Sequence, residues 1–148
     1  YYEAWDSVYY SKNEIISVLF SESYYFAGAA HPNNSSFSVN YNMKTGKEFS
    51  LNDILQPGWE TAISDICIAD LTRQKKEAGI EPSEWVQDGA GPKSENFKVF
   101  NITADHLLIT FPTYQVGSYV EGPSEVEIKY SAINDLIRKD GLLNDPIK

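Results

Sequence analysis

Cysteine is almost missing from this sequence. Cys67 stands alone, so no intrachain disulfide and no multi-cysteine metal site can form. Histidine is nearly as scarce: His31 and His106 are the only two, separated by 75 positions. No H-x-x-x-H or H-x-x-E-H pair exists, which leaves zinc ligation without support. The apolar runs, such as Ile15–Ile16 and Val18–Phe20, are far shorter than the roughly 20 residues a membrane-spanning helix needs. Basic residues are few: 12 Lys and Arg against 21 Asp and Glu give a net charge of -9. That charge disfavours nucleic acid, which needs clustered Lys and Arg, and equally disfavours anionic membranes, while a basic partner is easier to accommodate. No G-x-S-x-G, phosphate-binding loop or dinucleotide fingerprint is found, and Asp88–Gly89 lacks the acidic repeat of a calcium loop. No cofactor and no metal is expected.

What the sequence does have is aromatic: 10 Tyr, 7 Phe and 3 Trp. At 148 residues the chain is expected to form one domain, residues 1–148, large enough to fold around its own core. It begins Tyr1–Tyr2 rather than with Met, which suggests a piece of a longer exported or anchored product.

Strands are expected first. Trp5–Tyr10, Ile15–Phe20 and Ser23–Ala27 read as strands, with Ser11–Glu14 as a hairpin link. Phe37, Val39, Tyr41 and Met43 alternate with Ser36, Ser38, Asn40, Asn42 and Lys44, so the apolar set is expected on the buried face. Gly46 supplies a turn. Ser50–Asp53 has the form of a capping box. After Pro57–Gly58, the residues Trp59, Ile63, Ile66, Cys67, Asp70 and Leu71 fall at helical spacing, and all but Asp70 are apolar. Residues 79–96 read as a surface connection with a short helical turn at Ser83–Val86. Strands are expected again at Phe97–Ile102, Leu107–Phe111 and Glu125–Tyr130. A closing helix, capped by Ser131, would carry Ile133, Leu136 and Ile137. The order predicts an α+β fold: an antiparallel sheet with one main helix after the first strands and a C-terminal helix.

Candidate chemistry is sparse. His31 follows three small residues and precedes Pro32, the setting of a tight loop; a His there serves as general base, ligand or geometric anchor. Cys67 lies on an apolar helix face, as a packing residue does. Glu121, Glu125 and Glu127 form the densest carboxylate group, with alternation placing Glu125 and Glu127 on a wet strand face. N-x-S/T sequons start at Asn33, Asn34 and Asn101. The most unusual segment is Phe111–Pro123, which joins two strands with two Tyr, two Pro and two Gly. Pro112, Tyr114 and Tyr119 in this segment, together with His31, are the candidate partner-binding residues, because rigid Pro and amphipathic Tyr suit a contact loop.

Several segments, in order, carry a family resemblance: Tyr25–His31, Asn40–Lys47, Leu51–Leu55, Phe111–Tyr114, Tyr119–Pro123 and Tyr130–Ile133. Together they resemble the C-terminal extracytoplasmic domain of the RsiV-like lysozyme-responsive anti-sigma factors, a domain that also accompanies polysaccharide deacetylase domains. The pattern departs at Asn42, His106 and Lys129, where Asp, Gly and Pro are common. The resemblance implies an exported, non-catalytic α+β binding module, with Pro112 and Tyr114 contacting a basic protein such as lysozyme, or alternatively a cell-wall glycan. It also leaves an accessory role beside a deacetylase. The rival expectation is an envelope polysaccharide hydrolase using His31 or a carboxylate pair.

Overall fold

A computed structural model describes residues 1–143. The first four strands are β1 (Tyr2–Lys12), β2 (Ile15–Tyr24), β3 (Asn33–Asn42) and β4 (Lys47–Glu48). They form an antiparallel sheet in sequence order. Asn13 and Glu14 both adopt positive φ, the backbone of a two-residue hairpin turn whose twist matches the strands it joins. The expected strand Ser23–Ala27 does not exist separately, because β2 runs unbroken to Tyr24 and pairs with both neighbours to its end.

Helices α1 (Leu51–Ile54), α2 (Trp59–Glu77) and α3 (Glu84–Gly89) follow. Asp53 accepts a hydrogen bond from the Ser50 backbone N–H (2.7 Å), as the capping-box pattern predicts, and a further one from the Ser50 hydroxyl (2.9 Å). On α2 the side chains of Trp59, Ile63, Cys67 and Leu71 repeat every four residues and are buried. They lie in one core with Ile109, Phe111, Val126 and Ile128 from the second sheet. That sheet is antiparallel β5 (Phe100–Ile102), β6 (His106–Phe111) and β7 (Ser124–Lys129). The fold class is the expected α+β, with the strands divided between two sheets. The C-terminal helix takes another form. Residues 130–132 and 134–136 are single 3-10 turns, and the chain then bonds back across the molecule, Arg138 N–H to Ile54 O (2.9 Å) and Gln56 N–H to Leu136 O (2.7 Å). Those long-range bonds take the place of the local ladder a regular helix would need.

The two sheets meet along β5, and this junction reverses one expectation. In β3 the polar residues Asn40 and Asn42 are buried, whereas Phe37 is exposed. Asn42 turns in to hold the turn after β3, its Oδ1 accepting from Lys44 N–H (3.0 Å) and Thr45 N–H (3.2 Å). For Asn40 the cause is the edge of β5. Phe100 and Ile102 turn backbone groups away from β6 towards the first sheet, where side chains meet them. Ser17 Oγ accepts from Ile102 N–H (3.0 Å) and Asn101 Nδ2 (2.9 Å) and donates to Asn40 Oδ1 (2.6 Å). Asn40 Nδ2 donates to Phe100 O (2.8 Å), and Ser38 Oγ accepts from Phe100 N–H (3.1 Å). Polar residues face inwards here because β5 presents unpaired donors and acceptors, which are costly to bury unless bonded. The apolar set goes to the open face, where Phe20 and Phe37 stack with ring centroids 5.1 Å apart. Asn101 is enclosed in the same junction, so its sequon is not presented by the folded protein, while Asn33 and Asn34 are exposed.

Replacing Asn40 strands both Ser17 Oγ and the Phe100 carbonyl. Asn40→Ala is expected to destabilise the fold by about 2–4 kcal/mol, and Ser38→Ala, at the wetter end, by about 1 kcal/mol. Urea denaturation followed by circular dichroism measures both; equal losses would contradict this account.

Candidate functional site

Residues 112–123 leave β6 and return into β7, and three anchors hold them. The Gln115 side-chain amide donates to Gly89 O and Asn96 O, both at 2.8 Å. Gly89 is required by proximity: a Cβ there would lie 1.9 Å from the Gln115 carbonyl oxygen. Val116 is buried in the core. The third anchor is the ion pair between Lys75 and Glu121, whose side chains are only 7% and 16% exposed. The Glu121 carboxylate also accepts from Ser118 N–H (2.8 Å) and Oγ (3.0 Å). Its pKa is held below the ordinary carboxylate value, chiefly by the Lys75 hydrogen bond, with the Ser118 bonds adding to it and burial opposing it.

With its feet fixed, the loop raises Tyr114 at its apex. Pro112 O accepts from Gln115 N–H (3.0 Å), closing a tight turn, and Tyr114 has φ +74°. For a residue other than Gly that backbone is strained, and it holds the ring outwards at 51% exposure. His31 comes from the connection between β2 and β3. Its ring stacks on Tyr119 with centroids 3.7 Å apart and 21° between planes. Its Nδ1 lies 2.9 Å from Pro32 O, which can only accept, so Nδ1 carries the proton. The Nε2 of the neutral ring then accepts from Tyr114 O–H at 3.1 Å. Trp85, on α3 and 42% exposed, packs beside Tyr114 with centroids 6.4 Å apart. Val120 is almost fully exposed at the edge of the loop.

His31, Tyr114 and Tyr119 therefore meet in one aromatic patch, and Pro112 supplies the turn below it. His106 is elsewhere: its Nδ1 lies 2.7 Å from Asp105 Oδ1, and this contact holds the Asp105 carboxyl below its usual range. Glu125 and Glu127 stand exposed on β7, as alternation predicts, while Glu121 points away from them to Lys75. Cys67 is buried, and burial pushes its thiol up to about 12. Among the described residues no group of three or more His, Cys, Asp and Glu side chains is placed to hold a metal ion. Two contributors escaped the sequence reading. Trp85 sat in a segment that reads as connecting chain. Lys75 reads as a helix-terminal cation, yet it continues the buried four-residue stripe of Trp59, Ile63, Cys67 and Leu71, a position where a Lys requires an anionic partner.

The profile of a family described as a protein of unknown function, DUF3298, matches residues 52–131, more than half of the chain. The chain belongs to this family. The matched stretch carries Trp85, Tyr114 and Tyr119 but not His31, which lies before it in the β2–β3 connection. The peptidoglycan-N-acetylmuramic acid deacetylase PdaC of Bacillus subtilis is 28% identical over 134 residues, 89% of this chain. The chain spans only 28% of that relative's length. A DUF3298 member from Bacteroides fragilis shares the fold with a TM-score of 0.78 at 18% identity, over 99% of this chain and 57% of that one. A DUF3298 protein from Pseudomonas aeruginosa PAO1 matches with a TM-score of 0.64 at 20% identity, over 93% of this chain and 62% of its own.

Two outcomes follow. Lys75→Met leaves the Glu121 carboxylate enclosed without its cation and is expected to cost about 3 kcal/mol at pH 7. A carboxyl with a lowered folded pKa stabilises the fold above its ordinary value of 4.5 and loses that contribution as pH falls through the lowered value. The gap between variant and wild type in thermal or urea unfolding should therefore narrow below pH 4.5. For Cys67, iodoacetamide at pH 8 should leave the native protein unlabelled and label it fully in denaturant, read by mass spectrometry; fast native labelling would contradict its burial.

Proposed function

We propose that this chain is a non-catalytic binding module of the bacterial cell envelope, docking a basic protein of the lysozyme type through the patch of Trp85, Tyr114, Tyr119 and His31. The observation that carries the proposal is the clamped loop that holds Tyr114 outwards. Rigid aromatic side chains beside a turn bury large area at low entropy cost, the chemistry of a protein-contact hot spot. The net charge of -9 favours approach of a basic partner. The resemblance to the RsiV-like domain supports the same partner class and points to Pro112 and Tyr114. An extracytoplasmic location is supported by the relative PdaC, whose name places its chemistry on peptidoglycan.

The non-catalytic reading is supported by the surroundings of His31. Both ring nitrogens are engaged, by Pro32 O and by the Tyr114 hydroxyl, and one ring face lies on Tyr119. A general base needs a free nitrogen facing its substrate. One observation favours a second, compatible role: PdaC contains a region like this chain within a much longer deacetylase, so the module would serve as an accessory domain beside a catalytic one.

Isothermal titration calorimetry with lysozyme tests the docking. Wild-type protein is expected to bind, more weakly as salt is raised, and Tyr114→Ala or Trp85→Ala should each weaken binding by about 2 kcal/mol with circular dichroism unchanged. No binding by folded wild-type protein, or undiminished affinity in both variants, would refute the patch.

A further inference from the structure

The sequence reading also allowed a cell-wall glycan, and a second site on the molecule fits one better than the aromatic patch does. A groove of about 450 Å³ opens between the β3–β4 edge, the start of α1 and the 3-10 turn Ser94–Phe97. Trp59 and Phe100 contribute to its apolar floor, and Glu48, Asn52, Glu95 and Lys98 line it with polar groups. Trp59 Nε1–H donates to Asn52 Oδ1 (2.8 Å), which orients that amide and leaves its Nδ2 as a donor. Among the described residues Glu48, Glu95 and Lys98 form no ion pair, so their charges are available to a ligand.

The volume lies in the range of small-molecule sites, roughly one or two sugar rings. The groups select among ligands. Two carboxylates against one ammonium disfavour a polyanion such as a nucleotide. A wholly apolar ligand would desolvate three charges without replacing their hydrogen bonds. An acetamido sugar supplies what each group lacks: hydroxyl and amide N–H donors for Glu48 and Glu95, and a carbonyl acceptor for Lys98 or Asn52. Its methyl group and apolar ring face suit the floor. We propose that this groove is a glycan subsite for one or two N-acetylated hexosamine units. It shares no lining residue with the protein-docking patch, so either assignment can fail without the other.

The test is titration of the ¹⁵N-labelled protein with tri-N-acetylchitotriose, read at the indole N–H signals. The sequence has three tryptophans: Trp59 reports the groove, Trp85 reports the aromatic patch, and Trp5 lies in β1. A saturable shift of Trp59, with Trp85 and Trp5 unmoved, is the expected result. Glu95→Ala and Lys98→Ala, both exposed and outside the core, should each weaken binding by about tenfold, and cellotriose, which has no acetamido group, by at least about tenfold. The assignment is overturned by no saturable shift in a sample with dispersed native signals, by a shift at Trp85 in place of Trp59, or by equal affinity for cellotriose.

Discussion

The hydroxyl of Ser17 holds the two halves of this protein together. It accepts from Asn101 Nδ2 and Ile102 N–H in the second sheet and donates to Asn40 in the first, all in a buried setting. Without this junction the outer edge of β5 would bury unpaired backbone groups, and only the shared apolar core would hold the sheets together. The aromatic patch depends on the relation of the two sheets. His31 comes from the β2–β3 connection of one sheet, whereas Tyr114 and Tyr119 come from the β6–β7 connection of the other. A polar junction is directional where an apolar one is not, which is why a stacking distance of 3.7 Å can be set between residues 88 positions apart.

A second economy lies in how the exposed loop is kept rigid. Its energy sits at its feet: the Lys75–Glu121 pair, the Gln115 bonds to Gly89 and Asn96, and buried Val116. These contacts hold Tyr114 in a backbone conformation it would otherwise leave. Rigidity before contact reduces the entropy lost on binding, so a small patch can serve as a docking point. The long helix α2 therefore has two duties. Its apolar stripe fills the core, and its last buried residue, Lys75, tethers the loop.

Much of the fold was legible in the residues. The α2 stripe, a hairpin within Ser11–Glu14, the Ser50–Asp53 cap and the β6 and β7 strands follow from local pattern, because helical spacing, turn chemistry and period-two alternation are set within a few residues. Pro112, Tyr114 and Tyr119 stood out in the sequence, since Pro and Tyr crowd a connection too long for a tight hairpin, whereas Trp85 did not. The buried face of β3 was not. Period-two alternation says that two faces differ, and hydrophobicity ordinarily says which is inside, but Asn40 is drawn inwards by the β5 edge, 60 positions away, and Asn42 by the turn after it, whose Lys44 and Thr45 N–H groups its Oδ1 accepts. The closing segment misled for a similar reason: Ile133, Leu136 and Ile137 have helical spacing, yet the backbone bonds across to Ile54 and Gln56.

By itself the sequence determined the locally patterned elements, the acidic charge, the aromatic supply and the absence of local metal or nucleotide motifs. These depend on composition and on spacings within a few residues, where one turn of helix or one pleat of strand settles the outcome. The tertiary structure alone decided that His31 meets Tyr114 and Tyr119, that Trp85 joins them, that Lys75 finds Glu121, and that Trp59, Glu48, Glu95 and Lys98 line one groove beside the β3–β4 edge. Those juxtapositions rest on how two sheets dock, and docking is set by long-range hydrogen bonds and core packing that no periodicity encodes.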